Sequence, residues 1–106
     1  MATGRLYTGS PSATTNTTTY TVPTGFYTVF NVSFTNTNTT SVTIRLAMSS
    51  TNSPATNEYI EYDTTIVGKG VFERTGLVLD AGKQVNVYTS GAGVNVNVYG
   101  IETSTS

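Results

Sequence analysis

Residues 26–34 read FYTVFNVSF, and their alternation is the strongest structural signal in the chain. On an extended strand, the apolar residues at positions 26, 30, 32 and 34 share one face with Thr28. The opposite face takes Asn31 and Ser33, together with Tyr27 and Val29. This period of two is typical of a half-buried β-strand, and the helical period of 3.6 does not take hold anywhere in the chain.

Working outward from this strand, the residues 42–48 alternate in the same way, and the polar residues between the two runs predict a β-hairpin. Gly76 is expected at a bulge, residues 80–82 at a tight turn, and Ile101 as the last core residue. Turn signals recur about every ten residues. The sequence therefore predicts an all-β fold, an antiparallel β-sandwich or jelly roll of seven or eight short strands.

The 106 residues have room for one domain. We assign residues 20–102 to the β-sandwich and residues 103–106 to a polar tail. Residues 1–19 are rich in Ser, Thr and Asn and are expected to form an extended N-terminal arm, in which Arg5, Leu6 and Tyr7 could form a short strand. Extended in this way, the arm could add to the sheet edge of a neighbouring subunit.

Composition excludes several classes of function. The chain has no histidine and no cysteine, so triads and metal sites that depend on these residues are excluded. Its net charge is −1 and its few cations are scattered, which argues against nucleic-acid binding. No apolar run approaches the roughly 20 residues that span a bilayer, so no membrane association is expected. We expect neither enzymatic activity nor a cofactor. Thr, Ser and Asn account for 42 residues, which predicts a neutral exterior.

Two tyrosines stand out near the end of the chain. Tyr88 and Tyr99 fall on the polar phase of what look like adjacent strands, beside Asn86, Asn95 and Asn97. Such a face could form a subunit interface, where tyrosine is enriched. It could also stack on sugar rings, or its rings could simply pack against their own sheet. The sequence leaves these three interpretations open.

Glu61 and Asp63 are two residues apart and are expected to point to the same side of a strand. Two carboxylates on one face could form a glycosidase pair or part of a calcium site. We favour a solvated strand edge, because no third ligand is nearby in the sequence.

Three further segments carry a family resemblance. Residues 20–25 read YTVPTG, residues 59–66 read YIEYDTTI, and residues 76–82 read GLVLDAG. In this order they resemble small β-sandwich virion proteins of tailed bacteriophages, over roughly residues 5–102. The resemblance implies a part of the phage particle, made in the host cytoplasm, and it carries over no catalytic residue.

The function expected from this resemblance is a capsid decoration, or cement, protein that binds the major capsid protein or other virion proteins. The chain has few charges to protect its sheet edges, so we expect a homo-oligomer, and a trimer is favoured. The alternative is a tail, neck or fibre module that binds a receptor or glycan. A small hydrolase that uses Glu61 and Asp63 is the third hypothesis.

Overall fold

The computed structural model describes residues 3–105, and its fold is all-β. A 3₁₀ turn, Thr56–Glu58, precedes the fifth strand. The strands are β1 (Thr3–Gly9), β2 (Thr17–Thr21), β3 (Phe26–Asn36), β4 (Val42–Ser49), β5 (Tyr59–Ile66), β6 (Val71–Leu79), β7 (Gln84–Thr89) and β8 (Val94–Ser104).

The strands form two four-stranded sheets. Sheet I has the order β1-β8-β3-β6, and sheet II has the order β2-β7-β4-β5. All strand pairs are antiparallel, which confirms the all-β, antiparallel prediction. Four of the pairs follow a nested order, in which the first strand pairs with the last, the second with the seventh, and so on: β1 with β8, β2 with β7, β3 with β6, and β4 with β5.

The two sheets share one hydrophobic core. Phe30 and Phe34 of β3 are almost fully buried, as are Ile44 and Leu46 of β4 in the other sheet. Because these side chains belong to one cluster, the sheets pack against each other across it. The alternation predicted for β3 is confirmed, with Val29 exposed between buried neighbours.

The predicted β3–β4 hairpin is wrong. β3 pairs with β6 and β8 in sheet I, whereas β4 pairs with β5 and β7 in sheet II. The link between them therefore crosses from one sheet to the other. The buried Asn36 anchors this crossing, because its side-chain amide donates to the carbonyls of Thr40, Ile66 and Val67 at 2.9, 3.1 and 3.1 Å.

The predicted arm is also corrected. β1 pairs with β8, and β2 pairs with β7, so the described part of residues 1–19 supplies edge strands to both sheets. Arg5 is exposed on β1, while Leu6 and Tyr7 pack against the core. On the side of β1 that faces β8 and the side of β2 that faces β7, the backbone hydrogen-bonding groups are used within the chain. Residues 1, 2 and 106, which belong to the predicted arm and tail, lie outside the described residues.

The predicted polar tail begins inside β8, because Thr103 and Ser104 still pair with β3. The alternation of β8 continues as far as Glu102. As a result, Ile101 points outward and is 53% exposed, whereas Glu102 is 5% exposed. The prediction of Ile101 as the last core residue is therefore wrong, because strand register decides which side chain is buried.

The predicted bulge at Gly76 is confirmed. Two residues of β6, Thr75 and Gly76, face Asn31 alone on β3, and Gly76 has a φ of 69°. Its N–H donates to the Asn31 side chain at 2.9 Å. A left-handed φ is readily adopted by glycine and is strained for most other residues.

Candidate functional site

The structure separates the predicted Tyr/Asn face into two parts. β7 carries Asn86 and Tyr88 in sheet II, whereas β8 carries Asn95, Asn97 and Tyr99 in sheet I. These strands are consecutive in sequence but they are not neighbours in a sheet. The five residues therefore lie on two opposite outer faces and do not form one surface.

On the outer face of sheet II, the guanidinium of Arg45 lies between two tyrosine rings. Its Cζ is 4.2 Å from the ring centroid of Tyr62 on β5 and 4.5 Å from that of Tyr88 on β7. Tyr59 meets Tyr62 edge-on, with the ring centroids 5.0 Å apart. We call these four residues the aromatic platform. It spans three neighbouring strands, and both of its Arg–Tyr contacts have the geometry of cation–π interactions.

A β-bulge assembles one side of the platform. Between the pairs Ile44–Thr64 and Leu46–Glu61, the single residue Arg45 faces both Tyr62 and Asp63. Two residues opposite one is the arrangement of a β-bulge, which turns the extra side chain to a new direction. Here it brings the ring of Tyr62 and the carboxylate of Asp63 to the same guanidinium.

Asp63 holds Arg45 in place. Arg45 Nε donates to Asp63 Oδ1 at 2.6 Å, and Nη2 donates to Oδ2 at 3.3 Å. This forked contact lowers the pKa of Asp63 below its usual value and raises that of Arg45. Asp63 has a φ of 54°, a left-handed conformation that aspartate tolerates better than most residues. The guanidinium is thus fixed by two rings and one carboxylate.

Asn86, two residues before Tyr88, has a structural role. It is 2% exposed, and its amide donates to Ser49 Oγ at 2.6 Å and to the Thr51 carbonyl at 2.9 Å. Its side-chain oxygen accepts from Thr18 Oγ1 at 2.6 Å, and Asn52 donates to the same Thr18 oxygen at 2.9 Å. These bonds fasten the loop after β4 onto the sheet. Of the two predicted residues on this face, only Tyr88 belongs to the platform.

The remaining predicted residues lie on the outer face of sheet I. The Tyr99 hydroxyl donates to the Glu73 carboxylate, and this hydrogen bond raises the pKa of Tyr99. Arg5 lies across from Tyr99 on β1. Asn97 is half-buried and Asn95 is exposed further along β8.

The two carboxylates of the hydrolase hypothesis point in different directions. Glu61 binds Arg74 of sheet I and accepts from Thr64 at 2.7 Å, whereas Asp63 binds Arg45 on the outer face. The bulge after Glu61 is the reason that their side chains diverge. A glycosidase needs two carboxylates that flank one bond, and this pair does not have that arrangement.

Residues 3–105 contain no pocket and no cluster of three acidic residues suited to a metal ion. In the same range, no helix is long and apolar enough to cross a membrane. Comparison of the chain with known protein families, curated proteins and solved structures gives no match.

Sequence reasoning missed three of the four platform residues: Arg45, Tyr59 and Tyr62. Arg45 does carry one signal, since it is the single charge on the polar phase of β4. Its ring partners depend on the order β7-β4-β5, which alternation along single strands does not reveal.

Proposed function

We propose that this chain is a non-enzymatic virion structural protein, a capsid decoration protein of a tailed phage that binds the shell through the aromatic platform. Its mechanism is mechanical. Contacts made only with the assembled shell stabilise that shell by mass action.

The platform is the observation that carries this proposal. Tyrosine and arginine dominate the binding energy of protein interfaces, because they combine a large contact area with hydrogen bonding. Here they stand on strands and are locked by stacking and by Asp63, so little conformational entropy remains to be lost on binding. Tyr62 is 57% exposed, which leaves much of its ring for a partner.

The strand order gives further support. Pairing of first strand with last, continued inward over eight strands, is the connectivity of a jelly roll, and we propose that fold for the two sheets. Viral capsid domains and lectins both use it. This is an analogy of fold and carries no site, so it supports the proposal less than the platform does.

The test is attachment of the purified protein to phage heads that lack it. Tyr62→Ala and Tyr88→Ala should each weaken attachment at least about tenfold, as expected for truncation of an interface hot spot. Val67→Ala is the control, because Val67 is exposed outside the platform. Full attachment by both tyrosine variants would contradict the proposed surface, and failure of the wild-type protein to attach would contradict the decoration role.

A second candidate function uses the same surface. A tail, neck or fibre module could stack a sugar ring on Tyr62 and hydrogen-bond its hydroxyls through Asp63. The exposed ring beside a charged pair favours this alternative over other binding roles. It predicts that Tyr62→Ala and Tyr88→Ala abolish attachment to host cells, while particles assemble with their normal amount of the protein.

A further inference from the structure

An apolar row crosses the outer face of sheet I. Val29 of β3 is paired with Val78 of β6 on one side and with Ile101 of β8 on the other. These three side chains are 42%, 57% and 53% exposed, and Tyr27, the next outward residue of β3, is 38% exposed. A contiguous exposed group of this kind on a sheet face is typical of an interaction surface.

Two charged residues lie on the same outer face, one on each edge strand. Arg5 lies on the edge strand β1, and Glu73 lies on the other edge strand, β6. Within residues 3–105, Arg5 forms no salt bridge. The other charged side chains of sheet I are Arg74 on β6 and Glu102 on β8, and both lie on the side of the sheet that faces the core. The outer face therefore carries an apolar row and has no charged residue on its two central strands, with a cation on one edge strand and an anion on the other.

We infer that this face binds a second copy of the chain through a two-fold axis that runs along the strands between β3 and β8. Such an axis places β8 of one copy over β3 of the other, and β1 over β6. Ile101 then packs on Val29 of the second copy, and Arg5 lies above the strand that carries Glu73. Each contact occurs twice, as a self-complementary interface requires.

The outer face of sheet I is large enough to bind a second copy of the chain. Four strands about 4.8 Å apart, the longest about 11 residues at 3.4 Å each, cover a flat area on the order of 500–700 Å². The side chains that protrude from the sheet add accessible surface to this flat area. A stable interface needs about 800 Å² of accessible surface from each partner. The inference does not depend on the virion role, because it uses a different sheet from the aromatic platform.

Sedimentation equilibrium and light scattering of the purified chain test this inference. The wild-type protein should show a mass twice the 11.2 kDa of one chain, with reversible dissociation on dilution. The double variant Val29→Thr, Ile101→Thr should raise the dimer dissociation constant about a hundredfold or more, because it removes apolar contact at four places in the pair. Threonine retains strand propensity, so circular dichroism should remain unchanged.

A charge exchange tests the geometry. Arg5→Glu alone should weaken the dimer, because it brings two carboxylates together, and the combination of Arg5→Glu with Glu73→Lys should restore it. Val67→Thr is the control for loss of exposed apolar surface elsewhere. A wild-type protein that is monomeric at all concentrations or trimeric would overturn the inference, as would a dimer that survives the double threonine variant.

Discussion

The buried contact between Tyr20 and Glu102 allows the sharpest test of the fold. The hydroxyl of Tyr20, on β2 of sheet II, donates to the Glu102 carboxylate on β8 of sheet I. It also lies 2.9 Å from Thr28 Oγ1. Glu102 is 5% exposed and Thr28 is fully buried, so this hydrogen bond links the two sheets in a water-poor environment. Tyr20→Phe removes the hydroxyl and keeps the ring that packs against the core.

The magnitude follows from the charge and burial of the acceptor. A hydrogen bond to a charged group contributes about 1.5–3 kcal/mol, and the half-buried position of Tyr20 favours the lower part of this range. We expect Tyr20→Phe to lower the free energy of unfolding by about 1.5–2 kcal/mol. For a domain near 100 residues this corresponds to a fall in melting temperature of roughly 6–12 °C.

The same contact predicts a pH dependence. Burial, and then the hydrogen bond to Glu102, raise the pKa of Tyr20 from 10.0 to about 12. A raised pKa means that the folded state favours the neutral phenol. The stabilisation is therefore complete below about pH 10 and is lost as the pH rises from 10 to 12. Between pH 10 and 12, the free energy of unfolding should therefore fall less for Tyr20→Phe than for the wild-type protein.

Urea unfolding followed by far-ultraviolet circular dichroism measures both effects. Tyr27→Phe is the matched control, because Tyr27 is an exposed tyrosine on the outer face of β3. The single variants Tyr20→Phe and Glu102→Gln, compared with the double variant, give the coupling energy of the pair. The reasoning would be refuted if Tyr20→Phe unfolded at the same urea concentration as the control, or if it kept the full alkaline loss of stability.

Two backbone predictions concern the strands that carry the surfaces. Asp63 has a left-handed φ of 54°, which glycine adopts more readily than alanine. Asp63→Ala should therefore melt at a lower temperature than Asp63→Gly, although both variants lose the contact with Arg45. An equal or higher melting temperature for the alanine variant would count against strain at the bulge. Gly100→Ala would place a Cβ 2.1 Å from the Val29 carbonyl oxygen, so it should lower the free energy of unfolding by about 3 kcal/mol or prevent folding. A Gly100→Ala protein with wild-type stability in the urea experiment would show that β3 and β8 are not this close.

Alternation along single strands was enough to predict the faces of β3. It identified the buried side and the exposed Tyr27 and Val29. It did not identify strand partners, so β3 and β4 were wrongly joined as a hairpin. Glu102 shows a further limit. Its polarity suggested that the core ends at Ile101, but the period of two persists and the buried carboxylate is satisfied by Tyr20, which is 82 residues away.

The candidate site was predicted only in part, for a similar reason. Tyr88 was identified from its place on a polar phase. Its stack with Arg45 and Tyr62 depends on two other strands and on a bulge at Asp63 that has no glycine to mark it. The bulge at Gly76 was predictable because glycine did mark it. The pairing of β1 with β8 joins the two ends of the chain, and no local pattern indicates such a contact.

The proposed decoration role is tested most directly by the number of copies of this chain in purified phage particles. Quantitative mass spectrometry against the major capsid protein gives this number. The decoration role predicts on the order of hundreds of copies, because a decoration protein occupies symmetry-related sites over the whole shell. A handful of copies would support the tail, neck or fibre alternative instead, and the absence of the chain from the particles would contradict a virion role altogether.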